Sequence, residues 1–154
     1  MPFIILFGAN RLKCGVAIMS KKRDKCNKDK RGRRMIYTSY FAKLRSLPED
    51  IVPISICGKA PDWYKGLQYK KLAPKYDFFM EWKKNHDNDY YIKCFNEQVL
   101  NKLSSHTVIA ELYVLSEGKD IALICYEKPS DFCHRHLVAD WLNEHRIECK
   151  EWII

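Results

Sequence analysis

The segment IALICYEKPSDFCHRHLVADWL, residues 121–142, decides the fold that the sequence predicts. Its first residues, 121–124, form an apolar run that is long enough for a strand buried on both faces of a sheet and too short for a helix. Pro129, Ser130 and Asp131 are typical of a turn, and Ser130 or Asp131 is expected to cap a following helix. The segment therefore predicts a strand, a polar loop and a helix.

Strands and helices are predicted to alternate over the rest of the folded part. β-branched and aromatic residues favour strands, and apolar residues at helical spacing favour amphipathic helices. The predicted strands cover residues 35–40, 51–56, 121–125 and 149–154, and the predicted helices begin near Pro74, at Tyr90 (ending at Leu103), at Ser105 and near Cys133. This alternation predicts a single α/β domain with a parallel-rich sheet and helices on both faces, in a Rossmann-like or rhodanese-like layering.

Reactive side chains are concentrated where the predicted strand gives way to the predicted helix. Cys125 closes the strand, Glu127 follows it, and Cys133, His134 and Arg135 are expected in the first turn of the helix. That turn exposes unpaired backbone N–H groups and the positive end of the helix dipole, which favour anions and thiolates. Ligands usually bind at the carboxyl ends of parallel strands. We therefore expect these five residues to form a catalytic site.

A second loop is expected to lie beside this site. Cys57 and Lys59 follow the strand at 51–56, and the two loops meet if the two strands are parallel neighbours. Trp63 and Tyr64 belong to a lysine-rich aromatic connection that could stack bases and contact phosphates, or could pack its rings onto the sheet. Packing is favoured, with a contribution to one wall of the crevice. Cys57, Lys59, Trp63 and Tyr64 are therefore the expected substrate-binding residues.

The pattern of a Cys-x-Glu that closes a strand and a Cys-His-Arg that opens a helix resembles the domain of unknown function 488 (DUF488) family. The resemblance extends from about Met35 to the C-terminus. The residues that carry it are Cys125, Glu127, Cys133, His134 and Arg135, together with Pro61, Trp63, Tyr64 and Gly66. Many members have an Asp and an Arg after the second strand, where residues 55–58 of this chain are Ser-Ile-Cys-Gly, so no role of that pair is carried over. The resemblance implies a fold and a site but no reaction.

Two catalytic mechanisms fit the residues. In the first, Cys125 or Cys133 is the nucleophile, and Arg135 with the helix N-terminus holds an anionic substrate. Rhodanese-like and phosphatase loops share this layout, but here the loop is longer, and Glu127 and Asp131 would repel a phosphate. In the second, Glu127 is the general acid or base, which would suit group transfer or hydrolysis on a nucleotide-like or amide substrate.

Two other interpretations do not require a nucleophile. Cys125, Cys133 and His134, with Cys57 as a fourth candidate, could hold a metal ion. The chain has no CxxC motif, and side chains adjacent on a helix project in different directions, so no metal ligand is assigned and the cofactor is left open. Alternatively, Cys125 is a small core residue and Arg135 pairs with the Glu127 side chain across the loop.

The net charge of +8 is concentrated at the N-terminus. Residues 1–34 contain 11 Lys or Arg and 2 Asp, whereas the remainder contains 16 basic and 17 acidic residues. A dense run of one sign repels itself, so residues 1–34 are predicted to be a basic, disordered extension. It could bind nucleic acid or direct localisation, but a gene-start error, with translation beginning at Met35, is favoured. Residues 35–154 then form the domain, and nucleic acid is expected to bind only through the tail.

The cysteines and the hydropathy pattern bear on the compartment. The seven cysteines are an odd set without the spacing of a disulfide framework, which is typical of thiols in a reducing cytosol. No apolar run approaches the roughly 18 residues that span a bilayer. We therefore expect a soluble cytoplasmic protein without a membrane partner.

Two functions remain open from the sequence. The preferred one is a small enzyme that acts through the Cys/Glu/Cys-His-Arg site on an anionic or nucleotide-like small molecule. The alternative is a nucleic-acid-associated binding module that uses the basic tail and the aromatic loop, with a structural or metal-bound Cys/His loop.

Overall fold

A computed structural model of the chain describes Gly32 and residues 34–153. Apart from Gly32 and Arg34, the predicted basic extension lies outside the described residues, and so do the roles assigned to it. Among the helices that are described, none is long and apolar enough to cross a bilayer. The five cysteines at positions 57, 94, 125, 133 and 149 are free thiols, as the sequence predicts.

Among the described residues, five strands form one sheet in which every neighbouring pair is parallel. The strands are β1 (Ile36–Tyr40), β2 (Ile51–Ser55), β3 (Leu67–Gln68), β4 (Asp120–Cys125) and β5 (Cys149–Glu151). Their order across the sheet is β3-β2-β4-β1-β5. Every residue of the central strand β4 is buried, which explains the uninterrupted apolar run that follows Asp120 in it. The predicted parallel-rich α/β fold is therefore confirmed.

Four α-helices connect these strands in the part of the chain that the structure describes. They are α1 (Tyr76–Asn85), α2 (Asn88–Gln98), α3 (Ser105–Leu115) and α4 (His134–Glu144). The single helix expected over residues 90–103 is divided, because α2 ends at Gln98 and a short 3-10 turn follows it at Leu100–Lys102. Ser104, rather than Ser105, caps α3 by accepting a hydrogen bond from the Thr107 amide. These differences of a few residues leave the layers unchanged.

The two faces of the sheet are covered differently. Side chains from all four described α-helices pack together in one core, against the β1, β2 and β4 residues that point to that face. The other core is formed by the opposite side chains of the sheet, the 3-10 turn at Phe41–Ser46, the Cys57–Tyr64 part of the following loop, and Trp152. We expected helices on both faces of the sheet. In the structure, α-helices cover one face and a 3-10 turn covers part of the other.

Gly66 lies where the aromatic loop passes over the Tyr64 ring. A β-carbon at Gly66 would meet the Tyr64 hydroxyl oxygen at 2.5 Å, and that hydroxyl is held by the carbonyls of Pro53 and Leu67, each at 3.0 Å. Gly66→Ala should therefore lower the free energy of unfolding by about 1–3 kcal/mol. Urea unfolding would measure the loss. Gly58→Ala is the matched control, since a β-carbon at Gly58 would have no other atom within 4 Å, and an equal loss in both variants would contradict the steric cause.

Candidate functional site

The carboxyl ends of β2 and β4 bring two loops together. Ser55 at the end of β2 is paired with Ile124 of β4, so the chain leaves both strands at the same edge of the sheet. A cleft of about 740 Å³ opens there. Six of the predicted site residues line it: Cys57, Lys59, Cys125, Glu127, Cys133 and His134. The expected meeting of the two loops is therefore confirmed.

The orientation of His134 determines what its ring can do. Its Nε2 atom lies 2.9 Å from the carbonyl oxygen of Ile56, the residue that follows β2. A carbonyl oxygen only accepts hydrogen bonds, so Nε2 carries a hydrogen, and Nδ1 of the neutral ring carries the lone pair. Nδ1 lies 3.8 Å from Cys125 Sγ and 4.0 Å from Cys133 Sγ. The imidazole is thus fixed as a base that faces two thiols.

The two thiols are not equivalent. A hydrogen bond from the Cys125 thiol, followed by the interaction with His134, lowers the pKa of Cys133 well below its ordinary range. The same bond to Cys133, together with burial, raises the pKa of Cys125. Of the pair, Cys133 is therefore the thiol that ionises more readily, and Cys125 is the one that holds its proton more strongly.

Glu127 is a half-buried carboxyl group at the mouth of this thiol pair. The Cys125 thiol also lies 3.3 Å from Glu127 Oε2, so its single hydrogen is shared between that oxygen and the Cys133 sulfur. Burial, followed by the charge of Cys133, raises the pKa of Glu127. A carboxyl group that holds its proton at higher pH can act as a general acid.

Cys133 occupies the position immediately before α4, rather than the first turn in which it was expected. The helix begins at His134, and Cys133 has the extended backbone of an N-cap residue, with φ −154° and ψ 139°. The expected capping by Ser130 or Asp131 is not formed within the described loop; the Ser130 hydroxyl donates to the Asp131 carboxylate instead. The Cys133 thiol is therefore placed beside the unpaired amides that open α4, which favour a thiolate.

Arg135 is fully buried and faces away from the cleft. Its Nε and Nη2 atoms donate to the two carboxylate oxygens of Glu151 on β5, at 3.4 and 3.2 Å. Its Nη1 atom donates to the backbone carbonyl of Glu127 at 2.5 Å, so its contact with that residue is to the main chain rather than to the carboxyl group. Thr38 also donates to Glu151. Arg135 thus holds the Glu127 loop against β5, and no sequence motif pointed to Glu151 as its partner.

A family model described as the active DUF488-N3 subclade matches residues 39–146 of the chain. The chain belongs to the DUF488-N3a family. This assignment confirms the DUF488 resemblance that the sequence indicates, and the matched range contains Cys125 and the Cys-His-Arg motif. Glu151 lies beyond it. No significant match was found among curated proteins or among solved structures.

Two of the predicted substrate-binding residues of this DUF488-N3 protein are not among the described lining of the cleft. Trp63 is 63% exposed, and Tyr64 is buried with its hydroxyl turned to the backbone. Their places are taken by aromatic rings from α1, α2 and the loop that follows β4: Tyr76, Phe79, Trp82, Tyr91, Tyr126 and Phe132. Phe79 and Trp82 lie three positions apart in α1, a spacing typical of a helical packing face, and only the folded chain shows that they also line the cleft.

Cys125, Cys133 and His134 of the DUF488-N3 site could together hold a metal ion. The Sγ atoms of Cys125 and Cys133 and a ring nitrogen of His134 all lie within 4.8 Å of one another, and all three residues are buried. These donor atoms suit zinc. Its bonds to sulfur and nitrogen are about 2.3 and 2.0–2.1 Å long, so the three donor atoms would need to move only slightly closer together to bind it. Cys133 and His134 do not diverge as adjacent helical residues would, because Cys133 precedes the helix.

Proposed function

We propose that this DUF488-N3 protein is an enzyme that uses the Cys133 thiolate as a nucleophile on an anionic or nucleotide-like small molecule. The supporting observation is the orientation of His134, whose Nε2 is held by the Ile56 carbonyl while Nδ1 faces the thiols. A nucleophile, a base and a group that orients the base form the arrangement that cysteine-dependent catalysis requires.

The reaction that these groups suit is transfer of a group through a covalent intermediate. His134 Nδ1 takes the proton of Cys133, and the thiolate attacks an electrophilic carbon of the substrate. The S–C bond forms, the bond to the leaving group breaks, and the leaving group takes the proton of the Glu127 carboxyl group. Glu127 then removes a proton from water or another acceptor, which attacks the same carbon and releases the thiolate.

The lining of the cleft supports the choice of substrate class. Aromatic rings form one wall, with Trp82 and Phe132 centroids 5.5 Å apart at an interplanar angle of 35°. Lys59 and Lys83 also line the cleft and carry positive charge. A flat apolar ring of a substrate fits the aromatic wall, and an anionic group of a substrate fits the two lysines. The carboxyl group of Glu127 beside the thiols disfavours a phosphate at the reacting centre itself.

The rate at which iodoacetamide alkylates each thiol tests the proposal, measured from pH 5 to pH 9 on the full-length protein. Only the thiolate reacts, and an ordinary thiol loses about tenfold in rate for each pH unit below its pKa of about 8.5. Cys133 should therefore remain reactive at pH 6. Cys133→Ser should remove this reactivity, and Cys125→Ala should move the profile of Cys133 to higher pH, because it removes the hydrogen-bond donor.

The metal content of the wild type and of the variants at Cys133 and Cys125 distinguishes a nucleophilic thiolate from a metal centre. Stoichiometric zinc or iron in the wild type that is lost in both variants would replace the nucleophile with a metal site at the same atoms. A Cys133 that reacts like an ordinary thiol in metal-free protein would also overturn the proposal. Cys94→Ser, at a buried cysteine in the α-helical core, should leave both measurements unchanged.

A further inference from the structure

The cleft wall contains two thiols close enough to react with each other. The Sγ atoms of Cys125 and Cys133 lie within 4.8 Å, and a disulfide needs about 2.05 Å. Both thiols line the cleft, whereas Cys94 and Cys149 belong to the core beneath the α-helices. The distance between the sulfurs can be closed by side-chain rotation and a small movement of one loop.

The chain between the two cysteines permits that movement. Residues 128–131 are exposed, so this part of the loop, which follows the Glu127 carbonyl held by Arg135, is only lightly packed. Cys133 has extended backbone and no side-chain capping bond within the described part of the chain. The start of α4 is held by the bond from His134 to Ile56 and by the bonds from Arg135 to Glu151. The helix can therefore stay in place while Cys133 turns towards Cys125.

The surroundings also supply what oxidation of a thiolate requires. The cleft of about 740 Å³, which Cys125 and Cys133 help to line, is large enough for a small hydroperoxide. The Glu127 carboxyl group, 3.3 Å from Cys125 Sγ, can protonate a departing oxygen and then, as the carboxylate, accept the proton of that thiol. His134 Nδ1, 4.0 Å from Cys133 Sγ, can pass the proton it took from Cys133 to a leaving hydroxide. A thiolate with a neighbouring thiol is the arrangement of reversible redox-sensing cysteines.

We propose that Cys133 is an oxidative modification site for hydroperoxides and that Cys125 converts its oxidised form into a reversible disulfide. The Cys133 thiolate attacks the peroxide, an S–O bond forms, the O–O bond breaks, and the alkoxide or hydroxide takes a proton from Glu127. Sulfur thereby loses two electrons and becomes a sulfenic acid. Cys125 gives its proton to the Glu127 carboxylate and attacks that sulfur, the S–S bond forms, the S–O bond breaks, and the hydroxide leaves as water with the proton that His134 had taken from Cys133. A small dithiol returns two electrons and two protons.

This inference rests on the proposed function, because it uses the same thiolate, and it adds a means of regulation. The disulfide removes the nucleophile, so oxidation should switch the site off and reduction should restore it. Cys125 also protects Cys133, since a sulfenic acid that forms a disulfide does not proceed to the irreversible sulfinic and sulfonic acids.

The test uses the full-length reduced protein treated with increasing hydrogen peroxide and then analysed by mass spectrometry without reduction. The wild type should lose two hydrogen atoms, yield a Cys125–Cys133 linked peptide, and lose nearly all alkylation of Cys133. Dithiothreitol should restore the alkylation. Cys125→Ser should form no disulfide, give a dimedone adduct at Cys133, and proceed to the sulfinic acid at lower peroxide. Cys94→Ser should behave as the wild type.

Wild-type protein in which Cys133 proceeds to the sulfinic acid, or links to Cys57 instead, would overturn the inference. The pH dependence of Cys133 alkylation in the reduced protein distinguishes failure of this inference from failure of the proposed function. A Cys133 that is reactive at pH 6 but forms no disulfide overturns only this inference. A disulfide formed from a Cys133 with an ordinary pH profile overturns only the proposed function.

Discussion

Replacing Glu151 with alanine should lower the free energy of unfolding by about 3–5 kcal/mol, because a fully buried guanidinium then loses its carboxylate. Glu151 accepts hydrogen bonds from Arg135 at both of its oxygens, and Thr38 donates to one of them. An unpaired charge in this position costs far more than the loss of an exposed ion pair. Urea unfolding, followed by tryptophan fluorescence, measures the change.

Two variants show whether the pairing is the cause. Glu148→Ala removes an exposed glutamate three positions earlier and should change the free energy of unfolding by no more than about 0.5 kcal/mol. Arg135→Met combined with Glu151→Leu removes both charges and should recover much of the stability lost in Glu151→Ala. A loss below about 1 kcal/mol in Glu151→Ala would mean that the pair behaves like a surface salt bridge.

Replacing His134 with glutamine should slow the alkylation of Cys133 at pH 6 by at least roughly tenfold, and by about 300-fold if its pKa returns to about 8.5. Glutamine can still donate to the Ile56 carbonyl, but it offers no imidazole to the thiols. The interaction with His134 helps to lower the pKa of Cys133, so its removal depletes the thiolate at acidic pH. At pH 9 the rate should change little, because an ordinary thiol is also largely ionised there.

His145→Gln is the control for this second prediction, since His145 lies at the far end of α4 and bonds to the Trp141 carbonyl. Its alkylation profile should match the wild type. Unchanged reactivity of Cys133 at pH 6 in His134→Gln would assign the low pKa to Cys125 and the helix terminus alone, and would remove His134 from the proposed mechanism.

Much of the sheet could be predicted because its signals are local. The uninterrupted apolar run of β4 requires burial on both faces, and this implies a parallel sheet with crossover connections. Once β2 and β4 are parallel neighbours, the loops after them must meet, so the lining of the cleft by Cys57 and Glu127 follows from the order of the chain. The family match supports the same segment.

The unpredicted features depend on contacts between distant parts of the chain. β3 has two exposed residues, too few to show the alternation of a strand. Arg135 needs a buried carboxylate, but nothing in the local sequence distinguishes Glu151 from the other 18 acidic residues of the chain. Trp63 and Tyr64 were assigned to the cleft because large rings were clustered there, whereas the rings that line it come mainly from elements separate in sequence.

The position of β4 in the middle of the sheet has a consequence for synthesis of the protein. β1 pairs with β4 and β5, both of which follow it by a long stretch of chain; Met35 bonds to Asp120 across 85 residues. On the ribosome, β1 must therefore wait without its sheet partners until most of the chain has emerged, and such non-local pairing makes folding slow. The strand that joins β2 to β1 ends in Cys125, so the thiol pair is assembled in the same late step that joins the two halves of the sheet.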